Sequence, residues 1–146
     1  MRDDGAYDED EGNKKDFATI KDLTVHESLS NGIYGDCGMS FILENILIDN
    51  CVNHGIYSRF TRNNEMTNCE VSNSGGCGIC VWGGLVIVRV LYSVVHHNDK
   101  SGEQSYYALH ASTSSSLIKV VSPLTPETLS INNNGGRNYN FFYKVF

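Results

Sequence analysis

A Gly-Ile dipeptide returns at a fixed distance along this chain. It occurs in Gly32-Ile33-Tyr34, in Gly55-Ile56-Tyr57 and in Gly78-Ile79-Cys80, twenty-three positions apart each time. An internal period of this length constrains the fold more than any single motif, because each repeat must bury its apolar face against the next one. Holding the period fixed aligns DLTVHESLSNGIY, NILIDNCVNHGIY, NCEVSNSGGCGIC and LYSVVHHNDKSGE, which start at Asp22, Asn45, Asn68 and Leu91. The first three agree and the fourth is degraded.

The alignment makes columns. Leu23, Ile46, Cys69 and Tyr92 share one, and Val25, Ile48, Val71 and Val94 another. Ile33, Ile56 and Ile79 share a third. Between the first two columns stand Thr24, Leu47, Glu70 and Ser93, a mixed set. Apolar residues at every second position are the pattern of a short strand. Each repeat is thus a strand, a turn, and a second strand opened by Gly-Ile. No helical periodicity competes. The physical solution is a chain that coils, each coil pairing in parallel with the next at about 4.8 Å. The fold expected is all-β, a right-handed single-stranded parallel β-helix with its coils over 17–122. Apolar-x-apolar-x-Asn runs occur at Ile46, Ile48, Asn50 and at Cys69, Val71, Asn73, each followed by Gly-Ile. In these residues the sequence resembles the pectate-lyase-like superfamily of such β-helices.

The flanks differ from the repeats. Residues 1–16 hold seven acids against Arg2, Lys14 and Lys15, which is four of the chain's six net negative charges. They read as an acidic flexible arm or a cap. Residues 99–116 break the period and read as a loop insertion, and 123–146 read as a C-terminal strand or cap segment. The near-neutral remainder carries no basic patch, so no nucleic-acid partner is expected. No apolar run reaches the roughly 20 residues of a membrane span. The start, MRDDGAYDED, lacks the apolar centre of a secretory signal. Five cysteines cannot all pair within one chain, so they read as small buried thiols.

Cys77-Gly78-Ile79-Cys80 has C-x-x-C spacing. Cys77 shares its column with Asn31 and His54, and Cys80 with Tyr34 and Tyr57. No second thiol pair falls nearby, as a structural zinc site usually has, and no helix start is expected to activate a thiol. The motif therefore reads as scaffold, with no metal and no cofactor. Calcium is the ion the dense carboxylates of 1–16 would suit, but no EF-hand spacing supports it. Asn50 and Asn73, with Glu27 and His96 in the same column, are the residues that the resemblance implies for a structural ladder of stacked amides.

The chemistry-bearing surface follows from alternation. With Ile33 inward, Tyr34, Tyr57 and Cys80 point outward, as do Asp36, Arg59 and Trp82. Gly35, Ser58 and Val81 point in. Flat aromatic faces beside hydrogen-bonding groups suit sugars, so Tyr34, Tyr57, Asp36, Arg59 and Trp82 form the expected ligand-binding face. Asp36, Arg59 and Glu70 are the candidates for catalysis, the carboxylates as the pair a hydrolase needs. Glu44, the His96-His97 pair and the column of His26, Asp49 and Ser72 are lesser candidates. The resemblance implies a polysaccharide partner. It points to a module like those of phage tailspikes and adsorption proteins, in a virion or extracellular setting, with a homotrimer as the expected assembly. The alternatives are a polysaccharide lyase or glycoside hydrolase acting on an acidic glycan, and a structural oligomerisation module without ligand.

Overall fold

Alternating side chains need a sheet with one dry face, and the repeats supply it by stacking. The computed structural model describes residues 17–36, 40–83, 87–101, 107–113, 116–133 and 143–145. Residues 1–16 and parts of the 99–116 insertion lie outside the described residues. Each coil contributes three strand segments. The first coil has β1 (Phe17–His26), which runs round a corner, and β2 (Ile33–Asp36). The second repeats this with β3 (Ser40–Asp49) and β4 (Ile56–Arg59). The third divides the long strand into β5 (Asn63–Thr67) and β6 (Glu70–Ser72), followed by β7 (Ile79–Trp82). The fourth has β8 (Ile87–Leu91), β9 (Val94–His96) and β10 (Leu109–Ala111). The chain goes on through β11 (Leu117–Val120), the one-turn helix α1 (Pro126–Leu129), β12 (Ser130–Ile131) and β13 (Tyr143–Val145).

Every pairing between these strands is parallel, which is the mark of a coil returning above itself. One sheet runs β12-β9-β6-β3-β5-β8-β11-β13 with β1 on β3; the other runs β10-β7-β4-β2. The twenty-three-residue register holds where the motif predicted it. Ile33 faces Ile56 and Ile56 faces Ile79, while Leu23 faces Ile46 and Ile48 faces Val71. The inward columns form one continuous core that includes Ile46, Ile48, Val71, Ile56 and Ile79, all nearly or fully buried. The coils continue past residue 122, since β12 pairs with β9 and β13 with β11.

The fourth coil slips by one residue. Val71 faces Val95, not Val94, and Glu70 faces Val94. Because β7 still sits twenty-three residues above β4 while Asn63 already faces Ile87, the extra residue enters between Trp82 and Ile87. A slip of one residue would reverse every side chain of a strand. The chain absorbs it in a connection before β8, and Val95 takes the inward column. Tyr92 consequently stands beside Asn68 at a corner instead of beside Cys69, where it is exposed. The insertion is likewise absorbed between coils: β10 sits thirty residues above β7.

The corners are set by backbone conformation. Asp22, Asn45, Asn68 and Tyr92 all have φ between 45° and 55°. Glu27, Asn50, Asn73 and His97 repeat the left-handed conformation at the next corner, with φ of 54–57°. Asn and Asp tolerate this region better than other residues with a side chain. His97, not His96, therefore completes the Asn50–Asn73 column, as the slip requires. The amide-to-amide chain runs along the other corner: Asn68 Nδ2 donates to Asn45 Oδ1 at 2.7 Å, and Asn45 Nδ2 donates to Asp22 Oδ1 at 2.9 Å. Asn73 gives its amide to Asp49 Oδ1 at 2.8 Å.

Candidate functional site

The sheet β10-β7-β4-β2 brings the predicted aromatic and charged residues into two outward rows. Tyr34, Tyr57, Cys80 and His110 stand in register on successive strands, and Asp36, Arg59 and Trp82 stand in the next outward row. Ser58 and Val81 between them are fully buried, as alternation required. Ser58 is not left with an orphan hydroxyl: it pairs with Thr61, and Asn64 Nδ2 donates to both.

The outward groups interact. The Tyr34 hydroxyl donates to Asp36 Oδ2 at 2.6 Å. That bond to a carboxylate holds the Tyr34 hydroxyl above its usual pKa, with a hydrogen bond to Arg59 opposing the shift. Arg59 is held further in its charged form, first by the Tyr34 hydroxyl and then by the Asp36 charge. The phenol thus links the acid and the base. The Arg59 guanidinium lies 5.3 Å from the Phe60 ring centre and 5.4 Å from that of Trp82, within cation–π range. Phe60 and Trp82 meet edge to face at 5.0 Å, and Tyr34 and Tyr57 are 5.5 Å apart. Tyr34, Phe60 and Trp82 remain 50%, 41% and 39% exposed. Rings from three successive coils are thus partly open to solvent on this face.

Phe60 was not singled out in the sequence, although the chain carries its signal one period later. Phe60 sits at a third corner with φ of 49°, and Gly83 occupies the equivalent place above it with φ of 79°. A Cβ on Gly83 would lie 2.3 Å from Phe60 Cε1. The Phe60 ring fills the space that a side chain at 83 would need.

Glu70 does not join Asp36 and Arg59. It lies on β6 in the other sheet, where His96 Nε2 is 2.9 Å from Glu70 Oε1. Glu44 pairs with Lys21 Nζ at 2.7 Å. His26, Asp49 and Ser72 do meet, but in an order that excludes triad chemistry. His26 Nδ1 is 3.0 Å from Asp49 Oδ2, and the Ser72 hydroxyl donates to Asp49 Oδ1 at 3.0 Å. A triad needs the imidazole between serine and acid; here the acid is between them. An open groove of about 450 Å³ follows the other corner past Asn45, Asn68, Glu70 and Tyr92. Its asparagines are bonded to one another or to Asp22.

The two cysteines of the C-x-x-C adjoin these rows. Cys77 is fully buried and Cys80 is 7% exposed, although Cys80 keeps its outward column. Asn31, His54 and Cys77 form a corner column in which each side chain serves the coil above: Asn31 Oδ1 accepts from His54 N at 3.2 Å, and His54 Nδ1 accepts from Cys77 N at 2.9 Å. Cys77 Sγ is 3.9 Å from His110 Nδ1. The Cys77 thiol is held well below its usual pKa, chiefly by the hydrogen bond from Cys80 and then, against the effect of burial, by the two imidazoles. Cys80 is pushed up by the same bond and by burial.

Among the described residues no helix is long and apolar enough to cross a membrane. No curated protein and no solved structure matches the chain. The family described as "right handed beta helix region" matches residues 4–122. That span covers most of the chain and contains the coils from β1 through β11, so the protein belongs to the right-handed β-helix family.

Proposed function

We propose that this β-helix is a polysaccharide-binding module, of the kind found in phage tailspikes and adsorption proteins, and that it binds along the β2-β4-β7 face. The observation that carries the reading is the set of partly exposed rings on two neighbouring rows, Tyr34 and Tyr57 on one and Trp82 on the next, with Arg59 against the Phe60 and Trp82 rings and Asp36 held by Tyr34. Sugars present apolar C–H faces that pack on rings and hydroxyls that need donors and acceptors. Neighbouring strands in a sheet stand about 4.8 Å apart. A ladder of such steps suits an extended chain of sugars better than a single small molecule. Arg59 favours a glycan bearing carboxylates, which a guanidinium grips with two parallel hydrogen bonds.

The separation of Glu70 from Asp36 and Arg59 favours binding over cleavage, because hydrolysis by paired acids needs both near one bond. The test uses Trp82, the chain's one tryptophan. Its fluorescence reports on the face directly. A panel of acidic and neutral polysaccharides is titrated while Trp82 emission is followed. An acidic glycan is expected to bind, and Tyr57→Ala and Arg59→Ala each to weaken it about tenfold, equivalent to ~1.4 kcal/mol. Binding that both variants leave intact, or none across the panel, removes the proposal. New reducing ends or unsaturated products in the same reactions, lost in Asp36→Ala, would turn the module into a lyase or hydrolase. Light scattering on the same samples reads whether the assembly is the homotrimer that tailspike-like modules form.

A further inference from the structure

We propose that Cys77, Cys80, His54 and His110 form a binding site for a divalent cation of the zinc class, joining three successive coils. The proposal is independent of glycan binding. It starts from placement. His54 precedes β4, Cys77 precedes β7 directly above it, Cys80 lies on β7, and His110 lies on β10 directly above Cys80. Two adjacent columns of the coil thus converge two thiols and two imidazoles on one place. The candidate ligand atoms of His54, Cys77 and Cys80 lie within 4.8 Å of one another, and His110 Nδ1 is 3.9 Å from Cys77 Sγ. Zinc bonds of about 2.3 Å to sulfur and 2.0–2.1 Å to nitrogen, arranged tetrahedrally, put the ligand atoms about 3.3–3.8 Å apart. His54, Cys77 and Cys80 therefore need to draw in by about 1–1.5 Å at most, and His110, placed by its contact with Cys77, is the fourth donor.

The donor set also fits. Two cysteines and two histidines are a common structural zinc set, and soft thiolates disfavour calcium and magnesium. Both sulfurs are nearly or fully buried, and each imidazole is partly buried. Aromatic rings flank both imidazoles: the Tyr57 ring packs on His54 at 5.3 Å, and the Tyr107 ring packs edge-on against His110 at 5.5 Å. His54 Nδ1 now accepts the Cys77 N–H; as a ligand through that atom it exchanges this hydrogen bond for a coordinate bond. Because the donors come from three coils, the cation would tie the second coil to the fourth across the point where the period breaks.

The full chain, purified with reductant and stripped by chelator, is titrated with zinc and, separately, with cobalt(II). One cation per chain is expected, with thiolate-to-cobalt charge-transfer absorption in the near ultraviolet, and zinc should raise the melting temperature. Cys77→Ser and Cys80→Ser should each lose the tight site and reduce the charge-transfer band. His110→Ala should weaken binding about tenfold or more. Circular dichroism checks that the serine variants fold; if they do not, His110→Ala, a change at a partly buried strand position, carries the test alone. Absence of tight binding, absence of the thiolate band, or affinity unchanged in His110→Ala overturns the proposal. So does a Cys77–Cys80 disulfide that persists under reductant.

Discussion

Gly55 shows what the repeated Gly-Ile motif is for. A Cβ at this position would lie 2.2 Å from Val71 Cγ1 and 2.8 Å from the Gly78 carbonyl oxygen. Gly32 meets Ile48 and Gly78 meets Val95 in the same way, at 2.5 and 2.3 Å. The glycine column is thus the place where one wall of the coil packs against the β-branched residues of another. Its conformation is not the reason, since Gly55 has no positive φ. Replacing it by alanine would by itself stabilise slightly, about 0.4–1 kcal/mol, by restricting the unfolded chain. Overpacking a closed core costs about 1–3 kcal/mol, and here the methyl has nowhere to go. Gly55→Ala is therefore expected to destabilise, measured as a lower denaturant midpoint at unchanged m-value. An unchanged or higher midpoint would mean that Val71 can move aside. At this scale the sequence was readable because the glycine and the isoleucine recur together. Phe60 escaped notice because its partner in the column is a glycine, so the column shows no shared residue type.

The corners are the elements that shape the coil, and they divide into what composition reveals and what only register reveals. Asparagine at Asn45, Asn50, Asn68 and Asn73 marks them in sequence, since a left-handed residue costs most side chains about 1–2 kcal/mol. Which corner carries the amide chain was not readable, because it depends on whether the neighbour in the column offers a matching group. Asp22 does so for Asn45, whereas Asp49 draws Asn73 away from its column. Asn45→Ala should cost about 1–2 kcal/mol, mostly from backbone strain. Asn45→Gly, which keeps the conformational freedom and loses only the exposed hydrogen bonds, should cost less; chemical denaturation ranks the two, and the reverse order would assign the stability to the hydrogen bonds. Asp49 makes the Asn50–Asn73 corner sensitive to acid. Its carboxyl is held below the usual range, first by the Asn73 amide; burial, the next-largest influence, opposes this, and Ser72 and His26 add to the lowering. A carboxyl whose folded pKa is depressed contributes stability above its unfolded value of about 3.9, and that stability is lost as pH falls through the folded value. Unfolding midpoints should therefore hold steady at neutral pH and fall below about pH 4. Asp49→Asn should flatten part of that fall, and identical acid profiles for both proteins would place the titration elsewhere.

At the scale of the whole molecule, the stack has an inside and two ends. The period predicted the stacking because a strand of four residues with one apolar face has no stability alone. It marked a break over 99–116 but could not show the extra residue after Trp82, since Leu85-Val86-Ile87-Val88 is apolar at every position and leaves the register open. His110 accordingly could not be placed above Cys80 from sequence. In a stack of this kind stability is the sum of each coil's own terms and its contacts with the coils above and below. The coil of β3 and β4 has neighbours on both sides, β1 and β2 below and β5, β6 and β7 above. Among the described residues the coil of β1 and β2 has one only. Local opening should follow that order. Amide hydrogen exchange is expected to be slowest in β3, β4, β6 and β7 and faster in β1 and β2. Gly55→Ala, placed in an inner coil, should speed exchange in its own coil and in the coils on either side, because both interfaces pass through the altered packing. Exchange that is equally slow in every strand, and equally accelerated by the substitution, would mean that the coils open together and that the stack behaves as one cooperative unit, not as a row of neighbours.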